Sequence, residues 1–180
     1  MTPLEALERI TEFTKENIAP KLRMRKEVRH SGDIMDNSEV TPEYVHPAVD
    51  YGTIPHKNFQ PLDFQCPMIL WTLDEVGDGG TYDEGRTVNI RANVSAYTSE
   101  LYKDGRLPDN RAFVDLLNAL EKMYEEITRN HVINGVGIQK PVNYGIYDGV
   151  YYPYAYGYLT FTAEITRMQF DDDIDLNEIC

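Results

Sequence analysis

Apolar residues change their spacing along the chain, and each change marks an element. Leu4, Leu7, Ile10 and Phe13 recur at steps of three, which lays one apolar stripe along a helix. Thr2, Pro3 and Glu5 supply its start, a capping box with proline at the first helical position. Ala19-Pro20 predicts its end, since a residue before proline is pushed out of helical geometry. From Met68 to Leu73 the chain is almost continuously apolar, the pattern of a strand buried on both faces. Val88, Ile90, Ala92, Val94 and Ala96 then alternate with Asn89, Arg91, Asn93 and Ser95, so one face of this strand meets a core and the other is wet. The two strands are expected to pair as a hairpin across a Gly- and acid-rich connection, 74–85.

A second helix is expected over 110–129. Pro108-Asp109 caps it, and Phe113, Leu116, Leu117, Leu120, Met123 and Ile127 recur at three- and four-residue steps. At 1.5 Å per residue it would be about 30 Å long. Asn134-Gly135 reads as a stop. Residues 136–146 form a weak strand, and Tyr147-Asp148-Gly149-Val150 carries the Asp-Gly signal of a tight hairpin turn. Leu159, Phe161, Ala163 and Ile165 alternate with Thr160, Thr162, Glu164 and Thr166, a half-buried strand that ends near Phe170.

Between these patterned stretches lies 32–64, where Pro42, Pro47, Pro55 and Pro61 resist both helix and central strand. The stretch also carries Tyr44, Val45, Val49, Tyr51, Ile54, Phe59, Leu62 and Phe64, too many apolar residues for a solvated linker. It reads as an extended arm lying on another surface, such as a neighbouring subunit. The chain thus divides, as a single domain, into a helix with a basic segment (1–31), the arm (32–64), a core (66–170) and an acidic tail (171–180). The expected fold class is α+β: a mixed, mainly antiparallel sheet packed against a long amphipathic helix and an N-terminal helix, with an extended arm.

Composition narrows the function. The 180 residues are 42% apolar and 26% charged, the figures of one soluble domain. No apolar run reaches the roughly 18 residues of a membrane helix, and no basic stretch precedes an apolar core at the start, so neither a span nor a secretory signal is expected. Cys66 and Cys180 are too far apart in sequence to suggest a disulfide framework or a zinc site, and they fit a reducing compartment. Against 30 Asp+Glu stand 17 Lys+Arg, a net charge of −13, and so acidic a surface repels nucleic-acid phosphate.

Catalytic patterns are sparse. No phosphate loop and no Gly-x-Ser-x-Gly elbow occurs, and Gly135-Val136-Gly137 lacks the third glycine of a dinucleotide site. His30, His46, His56 and His131 show no metal-ligand spacing. Asp74, Glu75, Asp78, Asp83 and Glu84 lack the ordered alternation of a calcium loop and read as a solvated hairpin tip. No catalytic residue, cofactor site or metal site is therefore assigned.

Interface chemistry is better represented. Seven of the 13 tyrosines fall within 144–158, and such rings combine large buried area with a polar tip. Lys21, Arg23, Arg25, Lys26 and Arg29 gather cations near one terminus; Asp171, Asp172, Asp173 and Asp175 gather acids near the other. Complementary patches of this kind steer assembly and fix register. The candidate interface comprises both sets, the arm residues Tyr44, Tyr51 and Phe59, and Tyr147, Tyr151, Tyr152, Tyr154 and Tyr156.

The succession Pro67-Met68-Ile69-Leu70-Trp71, then Arg86-Thr87-Val88-Asn89-Ile90 to Ala96-Tyr97, Gly105-Arg106 before the 113–127 helix, and Gly157-Tyr158-Leu159-Thr160-Phe161 with Glu164-Ile165, resembles the tail-terminator (tail-completion) proteins of long-tailed bacteriophages. The resemblance covers about 66–170 and rests on order and spacing. It implies a non-enzymatic virion component, assembled in the host cytoplasm. Six copies would form a ring that caps the tail tube, ends its polymerisation and joins it to the neck proteins under the head. Implied partners are further copies of the chain, the tail tube protein, a head-completion protein and, where the tail contracts, a sheath. DNA would pass through the lumen without specific binding, and no membrane would be involved. A head-completion or stopper protein, a baseplate component, and a carbohydrate-binding module or enzyme using the Tyr-rich hairpin are the alternatives.

Overall fold

The computed structural model describes residues 1–27, 43–53, 66–78, 85–97, 111–148 and 154–165. In chain order these form α1 (Pro3–Phe13), β1 (Met24–Arg25), β2 (Tyr44–Val45), β3 (Ala48–Tyr51), β4 (Met68–Asp78), β5 (Arg86–Tyr97), α2 (Arg111–Arg129), β6 (Val132–Ile133), β7 (Val136–Ile146) and β8 (Tyr154–Ile165). The class is α+β. Six strands make one sheet in the order β3-β4-β5-β8-β7-β6, antiparallel throughout except where β3 runs parallel to β4. β1 and β2 pair separately.

β5 is the spine of the sheet. Its even positions Val88, Ile90, Ala92, Val94 and Ala96 are all buried, and the register sets Val88 opposite Ala163, Ile90 opposite Phe161 and Ala92 opposite Leu159. This apolar face receives Leu116, Leu120, Met123 and Ile127 from α2 and Leu7 and Ile10 from α1 in one continuous core. Burying each such side chain is worth roughly 1.5–3 kcal/mol. Phe113 and Leu4, placed on the two apolar stripes by their spacing, are instead exposed. Gly157 on β8 admits α2 closely: a Cβ there would stand 2.8 Å from Leu120 Cδ1 and from the Gly145 carbonyl oxygen.

Thr2 and Glu5 form the expected capping box. The α-helical geometry, however, stops at Phe13, continues as a π-helix over Thr14–Ile18 and closes as a 3₁₀ turn over Ala19–Lys21 that includes Pro20. Thr11, Thr14 and Asn17 each donate a side-chain hydrogen bond to the carbonyl four residues back, at 2.8, 2.8 and 3.1 Å, and such back-bonding loosens the regular ladder.

Several expectations need correction. Part of the proline-rich stretch is sheet: Ala48–Tyr51 pairs with Met68–Trp71 of the same chain, and Tyr44–Val45 pairs with Met24–Arg25. Those residues lie on their own subunit; the rest of 32–64 is outside the described residues. Of the four prolines only Pro47 is among the described residues; it immediately precedes β3, an edge strand, where its missing N–H costs no ladder bond. β4 runs on through Asp74 and Glu75 to Asp78, past a register shift between Leu73 and Glu75, so these three acids belong to a strand rather than a hairpin tip. Asn134 (φ 49°) and Gly135 (φ 84°) do not stop α2, which ends at Arg129. They form the two-residue turn between β6 and β7, where both central residues need positive φ. Ile146 lies opposite Gly157, so β7 and β8 do not turn tightly at Asp148-Gly149.

Candidate docking surface

The alternation that buries one face of β5 and β8 presents the other. Asn89, Arg91 and Asn93 of β5 and Tyr156, Tyr158, Thr160 and Thr162 of β8 are half-buried, and among the described residues no helix covers them. Arg91 stands at the centre. Its guanidinium carbon lies 5.6 Å from the centroid of the Tyr158 ring, its Nε donates to Asp74 Oδ2 at 2.8 Å, and its Nη2 reaches the same oxygen at 2.7 Å. The Tyr147 hydroxyl and then the Asp74 carboxylate hold the Arg91 guanidinium above its ordinary pKa, against the opposing effect of burial.

The polar groups around it satisfy one another across β4, β5, β8 and Tyr147, the residue after β7. The Tyr147 hydroxyl donates to Asn93 Oδ1 at 2.7 Å, Asn93 Nδ2 donates to Thr72 Oγ1 at 3.2 Å, and the Thr72 hydroxyl donates to the Arg91 carbonyl at 3.3 Å. The Tyr147 and Tyr158 rings lie 5.1 Å apart. One rung along, the Thr162 hydroxyl donates to Asn89 Oδ1 at 2.8 Å, and Asn89 Nδ2 donates to Glu75 at 3.3 Å. Gly145 lets the Tyr158 ring lie across β7, since a Cβ there would stand 2.8 Å from the Tyr158 hydroxyl oxygen.

The far end of this face is aromatic. Tyr97 and Tyr154 have centroids 5.5 Å apart, and Tyr154 stacks on Tyr156 at 6.0 Å. The Tyr154 hydroxyl donates to Glu27 Oε1 at 2.7 Å, and Glu27 Oε2 accepts the Cys66 N–H at 3.1 Å. Burial, and then Glu27, raise the Tyr154 pKa above its ordinary value.

The face is cross-linked by its own hydrogen bonds, and it concentrates Tyr and Arg, the residue types enriched where partners bury surface. Among the described residues no group of three or more His, Cys, Asp and Glu side chains gathers as a metal site, and no helix is long and apolar enough to cross a membrane.

The structure distributes the residues singled out from the sequence. Tyr147, Tyr154 and Tyr156 fall on the open face. Of the basic segment, Lys21 pairs with Glu126 at 2.9 Å and Lys26 with Glu43 at 2.9 Å, while Arg23 is exposed. Arg25 is buried: its guanidinium lies over the Tyr44 ring at 6.0 Å and its Nε donates to the Tyr44 hydroxyl at 3.4 Å. Two of these cations therefore meet acids of their own chain, and Arg25 serves the core. Tyr51 donates to Glu8 at 2.9 Å. Arg29, Phe59, Tyr151, Tyr152, Asp171, Asp172, Asp173 and Asp175 lie outside the described residues. Sequence reasoning missed Arg91, Asn93, Tyr158 and Asp74 as a unit; the wet half of the β5 alternation was the signal that pointed to the first two.

Compared with known protein families, the chain matches no family model, and among curated proteins it finds no match.

Proposed function

We propose that this chain is a structural assembly subunit that docks against copies of itself through the open face of its sheet, and that it acts as a tail terminator. In this reading six copies form a ring that caps a phage tail tube, ends its growth and joins it to the neck. The single observation that carries the docking role is the Arg91–Tyr158–Tyr147–Asn93 network, a hydrogen-bonded Tyr- and Arg-bearing surface that no helix covers among the described residues. The sheet edges support a face-to-face contact over edge pairing. β3 is only four residues long and β6 only two, and the part of β7 beyond β6 carries Lys140 and Pro141 within a register shift between Gln139 and Asn143. Short, charged or proline-bearing edges resist strand addition. The tail assignment draws on the resemblance in element order over 66–170.

Electron microscopy of particles made without this chain tests the reading. Tails of abnormal length, or normal tubes that fail to join heads, are expected. Tails of normal length beside leaking heads would overturn it in favour of a stopper.

A further inference from the structure

One peptide in the chain joins an asparagine to a following glycine, Asn134-Gly135, and it forms the exposed turn between β6 and β7. An asparagine in this position is open to attack by its own backbone, because glycine has no side chain to shield the next peptide nitrogen. The Gly135 nitrogen bonds to Asn134 Cγ, the Cγ–Nδ2 bond breaks, and the proton lost from the nitrogen leaves with Nδ2 as ammonia. A five-membered imide remains. Water then opens it at either carbonyl, to aspartate or to isoaspartate, and no other reactant is needed.

Arg9 of α1 grips both groups that must move. Its Nη1 donates to the Asn134 carbonyl oxygen at 2.7 Å, which fixes the peptide whose nitrogen would attack. Its own carbonyl accepts from Asn134 Nδ2 at 3.3 Å, which holds the amide that would be attacked. The guanidinium lies close over the turn, since a Cβ on Gly135 would stand 3.0 Å from Arg9 Nη1. Closing the imide swings the Asn134 side chain and the following peptide toward each other, away from the left-handed geometry (φ 49° and 84°) that the turn requires. We propose that Asn134 is a self-modification site, converted through the Gly135 nitrogen to aspartate and isoaspartate, and that the Arg9 clasp holds it unreacted while α1 stays on the β6–β7 turn. The conversion is then a covalent record of α1 leaving that turn. Isoaspartate adds a main-chain carbon to a loop whose length sets the register of β6 on β7, so the return of α1 does not erase it. This site is independent of the docking role of the open sheet face.

Peptide mapping of the full chain, incubated at mildly alkaline pH in native buffer and in urea, tests it by following the conversion of Asn134 and its share of isoaspartate over time. Wild type should convert at least about tenfold more slowly in native buffer than in urea, the factor carried by one charge-assisted hydrogen bond. Arg9→Ala should lose most of that protection in native buffer while the buried Cys66 stays unalkylated in the same sample, which marks the fold as intact. Should Arg9→Ala expose Cys66, Arg9→Gln takes its place. Tyr51→Phe removes a different tie from α1 to the sheet, the 2.9 Å bond to Glu8, and leaves the clasp, so it should convert as wild type does. Native conversion as fast as in urea would overturn the proposal, as would unchanged protection without Arg9 or equal acceleration in Tyr51→Phe. An Asn134 that stays unconverted even in urea would overturn the site itself.

Discussion

Trp71 donates its indole N–H to the Thr14 hydroxyl at 3.0 Å, and that hydroxyl donates in turn to the Ile10 carbonyl at 2.8 Å. The sole tryptophan is fully buried, with its ring edge-on to Phe161 at 5.9 Å, so this bond ties the helical N-terminus to the sheet. Thr14→Val keeps the shape and removes the acceptor, leaving a buried N–H unmatched at a cost of about 1–3 kcal/mol. Chemical denaturation should show that loss, whereas Thr14→Ser, which keeps the oxygen, should lose less. Equal losses in the two variants would deny the bond its role.

Glu126 titrates below its ordinary value of 4.5, chiefly through the hydrogen bond from Lys21, with Lys122 adding to it against the effect of burial. A depressed carboxylate contributes stability that is fully present above the unfolded value and lost as pH falls through the folded one. Urea midpoints for Glu126→Gln should therefore lie below wild type at neutral pH and converge with it as pH drops beneath 4.5. Parallel pH curves for the two proteins would contradict this.

Burial pushes the Cys66 thiol up to about 12, the nearby Glu27 charge adding to it and the Ser95 hydrogen bond opposing it. At pH 8 the thiolate is then only about 10⁻⁴ of the population, so Cys66 should resist alkylation in the native protein and react once denaturant is added. Mass mapping of labelled peptides reads this directly, and rapid native labelling of Cys66 would contradict its placement.

Much of the fold was legible because the core strands are patterned for it. The β5 alternation and that of β8 each named the buried face, and Thr2-Pro3-x-Glu5 named a helix start. Legibility failed where tertiary context overrides local punctuation. Asn134-Gly135 read as a helix stop but serves a hairpin, as its dipeptide also permits. The prolines around Ala48–Tyr51 masked an edge strand that only pairing with β4 reveals. At the docking face the wet half of β5 was visible, yet the closing of Arg91 onto Asp74 and Tyr158 depends on a register shift in β4 and on Gly145 of β7. Neither leaves a periodic trace. Charge counting misplaced Arg25, since composition cannot show that a cation is buried over Tyr44.

Gly145→Ala tests that closing directly. A methyl group 2.8 Å from the Tyr158 hydroxyl oxygen and 2.9 Å from Cζ must displace the ring, which lifts it from Arg91. The expected outcome is weaker self-association with a stability loss limited to about 1 kcal/mol, the usual scale of one half-exposed cation–π contact. Unchanged association would separate Tyr158 from docking.

The central claim is that the open sheet face joins this chain to its own copies, and the most direct measurement is solution mass by light scattering, wild type beside Arg91→Glu, across a range of concentrations and in the presence of tail tubes. The account predicts that wild type reaches a mass near six chains, alone or on tubes, while Arg91→Glu stays at one chain yet still unfolds cooperatively, since the half-exposed Asp74 pair and Tyr158 contact it loses are each worth at most about 1 kcal/mol and the new repulsion from Asp74 is of similar size. A wild-type protein that remains a single chain throughout, or a variant that assembles just as well, would contradict it.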